Sequence, residues 1–181
     1  MSRIFIALTP DGNFNKEIIN LKHSLKKELI KGAEIAWSDD KHHHITINFN
    51  GYMEPEQIEE MYTKFEEIEI MGGVLNLEIT GISYFPNENG QVIVANVNLS
   101  SQLQKLQQQV QTLVAQIGFD TELKGFRPHI TLARFKDKNR PLRELKSFED
   151  PFKASFNSLD VYESISNKGK AKHNLIKKFK F

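Results

Sequence analysis

The sequence lacks cysteine altogether over its 181 residues. This absence excludes disulfide bonds, thiolate metal sites and cysteine nucleophiles. The chain also lacks any apolar run near the ~20 residues that a helix needs to span a bilayer. Its opening segment, MSRIFIALTP, has one basic residue and a very short apolar stretch, which differs from a secretory signal. We therefore expect a cytoplasmic protein with no membrane partner.

An excess of charge of either sign is missing as well. Lysine and arginine number 24 against 23 acidic residues, so the net charge is +1 and no global field attracts nucleic acid. Any anion site must therefore be local. The composition, 39% apolar and 26% charged, is ordinary for a globular protein. The length predicts one two-lobed domain over residues 1–181, which we take as a monomer by default.

What the sequence does contain is one four-residue pattern, stated twice. The pattern His, apolar, Thr, apolar occurs as HITI at residues 44–47, the first motif, and as HITL at residues 129–132, the second motif. With so few histidines and threonines in the chain, only about 0.04 chance matches are expected. The doubling therefore indicates a functional or structural repeat.

Each motif has two faces if it forms a β-strand. Successive strand side chains point to opposite faces, so His44 and Thr46 share one face and the isoleucines of the first motif share the other. The same parity pairs His129 with Thr131. We predict that each motif buries its apolar pair and presents an imidazole beside a hydroxyl. Two such strands suggest a cleft in which the imidazoles face each other.

Apolar periodicity predicts strands and helices along the whole chain. The predicted strands cover residues 4–8, 33–37, 44–49, 74–85, 91–97, 128–135, 152–164 and 174–179. The predicted helices cover residues 14–30, 55–68, 103–117 and 141–148. The first motif strand should end at Asn50-Gly51, and Ser100 or Ser101 should cap the third helix. Because each motif strand lies between two helices, we predict an α+β fold of two similar lobes around a shared groove.

Two histidines and two threonines suit acid–base chemistry at phosphorus. An imidazole has an unperturbed pKa near ~6.5, so it can serve as a neutral base or a protonated acid at neutral pH. One can take a proton from an attacking water while the other protonates the departing oxygen, and each transfer contributes ~10²–10⁴-fold. The hydroxyls of Thr46 and Thr131 can donate to the non-bridging phosphate oxygens. No metal is required.

The doubled motif resembles that of the two-histidine (2H) phosphoesterases. The most similar branch is the RNA 2′,3′-cyclic phosphodiesterases, also known as 2′-5′ RNA ligase-like proteins. Residues 44–51 are similar to the family's first motif, and residues 127–134 closely match its second. Weaker matches lie at residues 4–8, 84–86 and 161–164. The resemblance implies a bilobal 2H fold, with two similar lobes of antiparallel sheet and outer helices around a central groove.

The same resemblance implies an activity. The expected reaction is hydrolysis of a 2′,3′-cyclic phosphate end of RNA or an oligonucleotide to a 2′-phosphate, without a metal or other cofactor. In the family the first histidine donates a proton and the second accepts one, which carries over to His44 and His129. The residues themselves leave that assignment open. They also leave open the same mechanism on another phosphodiester, such as 2′-5′ oligoadenylate, and a non-catalytic nucleotide- or RNA-binding module.

Two arginines beside the second motif are candidate phosphate ligands. By strand parity Arg127 shares a face with His129. Arg134 falls on the opposite face, with Ile130, unless the strand bulges or ends early. The resemblance favours both arginines as substrate-binding residues.

The sequence departs from the family pattern at two places. His42 stands where the family has asparagine, next to His43, and we expect a solvated loop there rather than metal ligands. Residues 171–173, Ala-Lys-His, stand where the family typically has a tyrosine, which leaves the outer groove, and so substrate choice, open.

Three aromatic side chains, Trp37, Tyr84 and Phe85, could stack a base, but core packing is the simpler prediction. The lysines between residues 168 and 180 should form a solvated strand face that could attract an RNA backbone.

Overall fold

The computed structural model describes residues 1–29, 34–68, 73–119, 125–137, 145, 151–167 and 170–181. Over these residues, nine strands and three helices confirm the predicted α+β class. In chain order they are β1 (Ser2–Leu8), α1 (Gly12–Leu29), β2 (Ile35–Trp37), β3 (Ile45–Met53), α2 (Pro55–Phe65), β4 (Leu75–Phe85), β5 (Val92–Val97), α3 (Ser101–Gln116), β6 (His129–Phe135), β7 (Phe152–Phe156), β8 (Ser158–Asn167) and β9 (Lys170–Lys180).

The described strands form one curled antiparallel sheet with the two motif strands side by side at its centre. The strand order is β7-β4-β5-β6-β3-β1-β8-β9, and β2 pairs with β6 outside this path. We call β3-β1-β8-β9 the first half and β7-β4-β5-β6 the second half. The halves meet where Ile45 pairs with Ile130. These isoleucines hold the same position in the two motifs, so a local two-fold axis relates the motifs.

Each half builds its motif strand in the same way. β1 pairs with β3 in the first half, and β5 pairs with β6 in the second, in both cases after an intervening helix. The residue after each motif threonine, Ile47 or Leu132, is a bulge that the neighbouring strand leaves unpaired. The repeat seen in the sequence is therefore a structural repeat that includes the position of the bulge.

The helices cover the sheet face opposite the motif histidines. Buried side chains of the three helices, such as Ile18, Met61 and Val110, join Ile45 and Ile130 in one core cluster. α1 packs against β7 of the second half, and α3 packs against β3 of the first half. This crossed packing ties the halves together. No helix in the described part of the chain is long and apolar enough to cross a membrane.

Several predicted boundaries differ from the structure; the strand predicted at 174–179, for example, covers Lys170–Lys180. β3 does not end at Asn50-Gly51, because Asn50 forms a second bulge, Gly51 takes a φ of +80°, and the strand continues. α2 ends at Phe65 rather than at residue 68. The predicted strand 152–164 is two strands, because β7 pairs with β4 in the second half while β8 pairs with β1 in the first. The helix predicted at 141–148 lies outside the described residues, apart from position 145.

The turn between β4 and β5 runs from Asn87 to Gly90, whose N–H donates to the carbonyl oxygen of Asn87 at 2.8 Å. A Cβ atom on Gly90 would lie 2.0 Å from the carbonyl oxygen of Phe85, so only glycine fits there. The turn places Phe85 and Pro86 beside the second motif.

Candidate active site

The two motifs bury their apolar residues and present their polar ones, which is the arrangement expected from strand parity. The four apolar residues are at most 3% exposed: Ile45, Ile47, Ile130 and Leu132. The four polar residues are partly exposed on the other face: His44, Thr46, His129 and Thr131. Because Ile45 pairs with Ile130, the antiparallel register sets each motif histidine opposite the threonine of the other motif. The fold thus gathers all four around the two-fold axis.

Both histidines are held by the same kind of hydrogen bond. Nδ1 of His44 donates to the carbonyl oxygen of His42 at 2.8 Å, and Nδ1 of His129 donates to that of Arg127, also at 2.8 Å. A carbonyl oxygen only accepts, so each Nδ1 carries a hydrogen and each Nε2 is left for proton transfer. Since both bonds reach back two residues, the imidazoles are oriented equivalently about the axis.

Burial favours the neutral form of both imidazoles. It lowers the pKa of His44 to about 4; the hydrogen bond to His42 opposes this effect, and a proton on nearby His173 or His129 would reinforce it. Burial also lowers the pKa of His129, with the hydrogen bond to Arg127 acting against the shift and the Arg127 charge acting with it. An anionic substrate would raise both pKa values, so a donor histidine would gain its proton together with the substrate.

Aromatic rings flank each motif histidine. In the second half, the ring centroid of Phe85 lies 4.3 Å from that of His129. In the first half, Phe5 lies 5.0 Å from His44 and stacks on Tyr162 at 5.2 Å. Phe85 therefore packs on the histidine face, and the prediction that it packs in the core is wrong. Trp37 and Tyr84 do pack against the core.

The Arg127 side chain is exposed and packs against the ring of Phe85. Its guanidinium carbon lies 4.7 Å from the ring centroid of Phe85, and Nη1 donates to the carbonyl oxygen of Pro86 at 2.8 Å. A guanidinium has five N–H donors, so this bond does not exhaust it. Arg127 and His129 thus contact the same aromatic ring.

The bulge at Leu132 moves Arg134 to the histidine face. Leu132 and Ala133 are both buried, at 0% and 1% exposed, whereas Arg134 is exposed. Two successive residues on the core face shift every later side chain of the strand by one position. Arg134 therefore shares a face with His129 and Thr131, and its placement on the core face by simple parity is wrong.

Lys22 of α1 was not predicted from the sequence, yet it holds the segment before the first motif. It is 1% exposed, and Nζ donates to Ser38 O at 2.5 Å, to Asp40 Oδ1 at 2.5 Å and to His43 Nε2 at 3.1 Å. These three bonds use all three donors of an ammonium group. The sequence carries one signal for this burial: position 22 lies on the same helix face as the apolar Ile18.

His43 is buried beside this lysine, so its assignment to a solvated loop is wrong. Because Lys22 only donates, Nε2 of His43 accepts, and Nδ1 carries the hydrogen that is donated to Asn15 Oδ1 at 2.6 Å. Burial, and then the charge of Lys22, lowers the pKa of His43 to about 4. His42 is partly exposed and lies 3.4 Å from Asp39.

Ser38 links the lysine network to the second motif. Its backbone N–H and its hydroxyl both donate to the carbonyl oxygen of Leu132, at 3.0 and 2.9 Å. The segment bonded by Lys22, residues 38–43, is therefore attached at its first residue to Leu132, the bulge residue of the second motif. It also contains the His42 carbonyl that orients His44.

The C-terminal strands carry the remaining predicted features. The described lysine side chains of β9 are exposed, and Lys178 also pairs with the buried Asp160 at 2.8 Å. Lys168 and the side chain of Lys170 lie outside the described residues. His173 lies next to the first motif, with its ring centroid 5.6 Å from that of His44.

Comparison with known families places this site in one of them. A family model described as the 2′-5′ RNA ligase superfamily matches residues 65–167, more than half of the chain. The chain belongs to the 2′-5′ RNA ligase superfamily. A second model, LigT-like phosphoesterase, matches residues 8–94 of this superfamily member. The first match contains the second motif, and the second match contains the first motif.

Individual relatives of this superfamily member agree with the family match. An RNA 2′,3′-cyclic phosphodiesterase of Aeropyrum pernix is 27% identical over 126 residues, which are 65% of this chain and 70% of the relative. A solved structure from Thermus thermophilus has a TM-score of 0.83 at 18% identity, covering 98% and 97% of the two chains. E. coli LigT complexed with 3′-AMP has a TM-score of 0.80 at 15% identity, covering 99% and 97%. The fold implied by the sequence resemblance is thus confirmed.

Proposed function

We propose that this superfamily member hydrolyses the 2′,3′-cyclic phosphate end of RNA or a short oligonucleotide to a 2′-phosphate. The observation that carries the proposal is the pair of symmetry-related imidazoles, each anchored through Nδ1. The name of the Aeropyrum pernix relative supports the substrate class. The LigT-like phosphoesterase match supports the chemistry at phosphorus.

The proposed step is an in-line displacement. Nε2 of His129 removes a proton from water as the water oxygen attacks phosphorus opposite the 3′-oxygen. The bond between phosphorus and the 3′-oxygen breaks, and the protonated Nε2 of His44 gives its proton to that oxygen. The products are a 2′-phosphate and a 3′-hydroxyl. The pair is left with the proton on His129, and exchange with water restores the starting state.

Three further residues would hold the phosphate. Thr46 and Thr131, each opposite a motif histidine, would donate to the non-bridging oxygens, where negative charge grows in the transition state. Arg134 would pair with the same oxygens from the histidine face, as a guanidinium does with phosphate. Arg127, held over Phe85, would contribute charge at the rim of the groove.

The test is a substrate panel with product identification. The panel contains 2′,3′-cyclic mononucleotides and oligonucleotides with a cyclic phosphate end, assayed with EDTA present. We expect 2′-phosphate products, turnover unaffected by EDTA, and a bell-shaped dependence of rate on pH. A 3′-phosphate product would contradict the assigned bond cleavage. Binding of a 2′-phosphate nucleotide without turnover of any substrate would instead favour a binding module.

A further inference from the structure

His173 on β9 is a polar group beside the site that the proposed mechanism does not use. It pairs with Ser164 of β8, on the sheet face that carries Tyr162. The ring centroid lies 5.6 Å from His44 and 4.9 Å from Phe5, both in edge-on contacts at 86° and 77°. Since β9 and β6 lie on opposite sides of β3 in the sheet, His173 borders His44 on the side away from His129.

The hydrogen bonding of the His173 ring is incomplete. Its Nδ1 is buried and has no hydrogen-bond partner among the described residues. Orphaned buried N–H groups are rarer than under-satisfied acceptors, so the favoured tautomer leaves Nδ1 as a lone pair and carries the proton on Nε2. Burial, and then the charges of His42 and Arg3, lowers the pKa of His173 and keeps the ring neutral. The partly exposed ring thus offers one N–H donor.

The proposed reaction determines which part of the substrate lies next to His44. Because His44 protonates the 3′-oxygen, the ribose that bears this oxygen lies against it, and the terminal base is attached to the same ribose. Among the described residues, three ring side chains contact the His44 ring on that side: Phe5, Tyr162 and His173. The Tyr162 hydroxyl is already bonded to Thr9 Oγ1 at 2.7 Å, and Phe5 has no polar atom in its side chain. Of these three rings, His173 is therefore the one with an unused hydrogen-bond donor.

We propose that His173 is a specificity-determining residue whose Nε2–H donates a hydrogen bond to an acceptor on the terminal base of the substrate. The inference rests on the proposed function, with His44 facing the 3′-oxygen. The four bases differ in where their edges carry acceptors, so a donor at one fixed place distinguishes among them. His173 would thus affect which base is bound and leave the chemical step unchanged.

The test compares kcat and KM for the 2′,3′-cyclic phosphates of adenosine, guanosine, cytidine and uridine. His173→Phe keeps a ring in place and removes both nitrogens. We expect KM for the preferred base to rise roughly tenfold, the value of one lost hydrogen bond, and the ranking of the bases to level, while kcat stays within a factor of about two. His173→Gln keeps an N–H donor and should retain the ranking. The matched control is His23→Phe, at an exposed histidine of α1, which should change nothing.

Two kinetic outcomes would overturn the inference. One is an unchanged KM and ranking in His173→Phe, and the other is a loss of kcat for all four bases. Failure of the proposed function looks different, because the wild-type protein would then turn over none of them. In that case 2′-phosphate mononucleotides of the four bases are titrated into both proteins by calorimetry. A base-dependent weakening of about tenfold would support the inference, and equal dissociation constants would overturn it.

Discussion

A buried cation destabilises a fold unless its donors are all bonded, and Lys22 satisfies this condition with three acceptors. Lys22→Met removes the donors and leaves His43 without its partner. Breaking a fully buried ion pair costs ~3–5 kcal/mol, and we expect roughly 2–3 kcal/mol here because Asp40 is half-exposed. Urea denaturation measures the free energy of unfolding.

The matched control for this substitution is Lys27→Met, at an exposed lysine of the same helix. It should change the free energy of unfolding by no more than about 0.5 kcal/mol. Lys22→Met should also lower kcat, because the segment leading to the His42 carbonyl is no longer held. Equal stability and kcat in the two variants would show that the lysine network neither stabilises the fold nor orients His44.

His43 predicts how stability depends on pH. Its pKa is about 4 in the folded protein, against ~6.5 in an unfolded chain, so between these values the unfolded state binds the proton more tightly. The stabilisation is complete above pH ~6.5 and is lost as the pH falls toward 4, by roughly 3 kcal/mol from this residue. In His43→Gln, the free energy of unfolding should depend less steeply on pH over this window, by about one proton. An unchanged slope would mean that His43 titrates normally in the fold.

Among the structural elements, the bulge in β6 decides which face of the sheet carries Arg134. Arg134 lies on the histidine face, whereas Arg127 is bonded to Pro86 and stacked on Phe85. We expect Arg134→Ala to raise KM for a cyclic nucleotide roughly ten- to a hundredfold, as for the loss of a charged hydrogen bond. Arg127→Ala should raise KM less. Steady-state kinetics of both variants measures the two KM values. A larger rise in Arg127→Ala than in Arg134→Ala would show that Arg127 is the more important phosphate ligand, as simple parity predicts.

The sequence correctly predicted which side chains of each motif are buried, because the alternation of faces over four strand residues depends only on the local backbone. Strand parity failed at Arg134, since the bulge at Leu132 is set by pairing with β5, and pairing partners are not visible in a single sequence. The same limit explains residues 152–164. Both parts have strand-like composition, and only their different partners divide them at Asn157.

Burial of polar residues was harder to predict than the strands. Lys22 lies within the apolar stripe of α1, but its acceptors come from the segment before β3, so the sequence does not show that they meet. His43 was assigned to a solvated loop because no other histidine or acidic residue falls at clear metal-ligand spacing in the sequence. His173 lies far from the first motif along the chain, and the curl of the sheet brings it to His44.

At the scale of the whole molecule, the two equivalent motifs lie side by side in one sheet. The halves share a single antiparallel sheet, and most of the described core residues of both belong to one cluster. Each half also packs against a helix from the other. We therefore propose that the chain folds as one domain, in which a common core fixes His44 relative to His129.

The most direct measurement is the pH dependence of kcat/KM on a 2′,3′-cyclic nucleotide for the wild-type protein, His44→Ala and His129→Ala. Circular dichroism would verify that both variants are folded. We predict a bell-shaped wild-type profile and a loss of ~10²–10⁴-fold in each variant. The residual activity of His129→Ala should lack the acid limb, because the base is gone, and that of His44→Ala should lack the basic limb. Near wild-type turnover in either variant would contradict the paired acid–base mechanism.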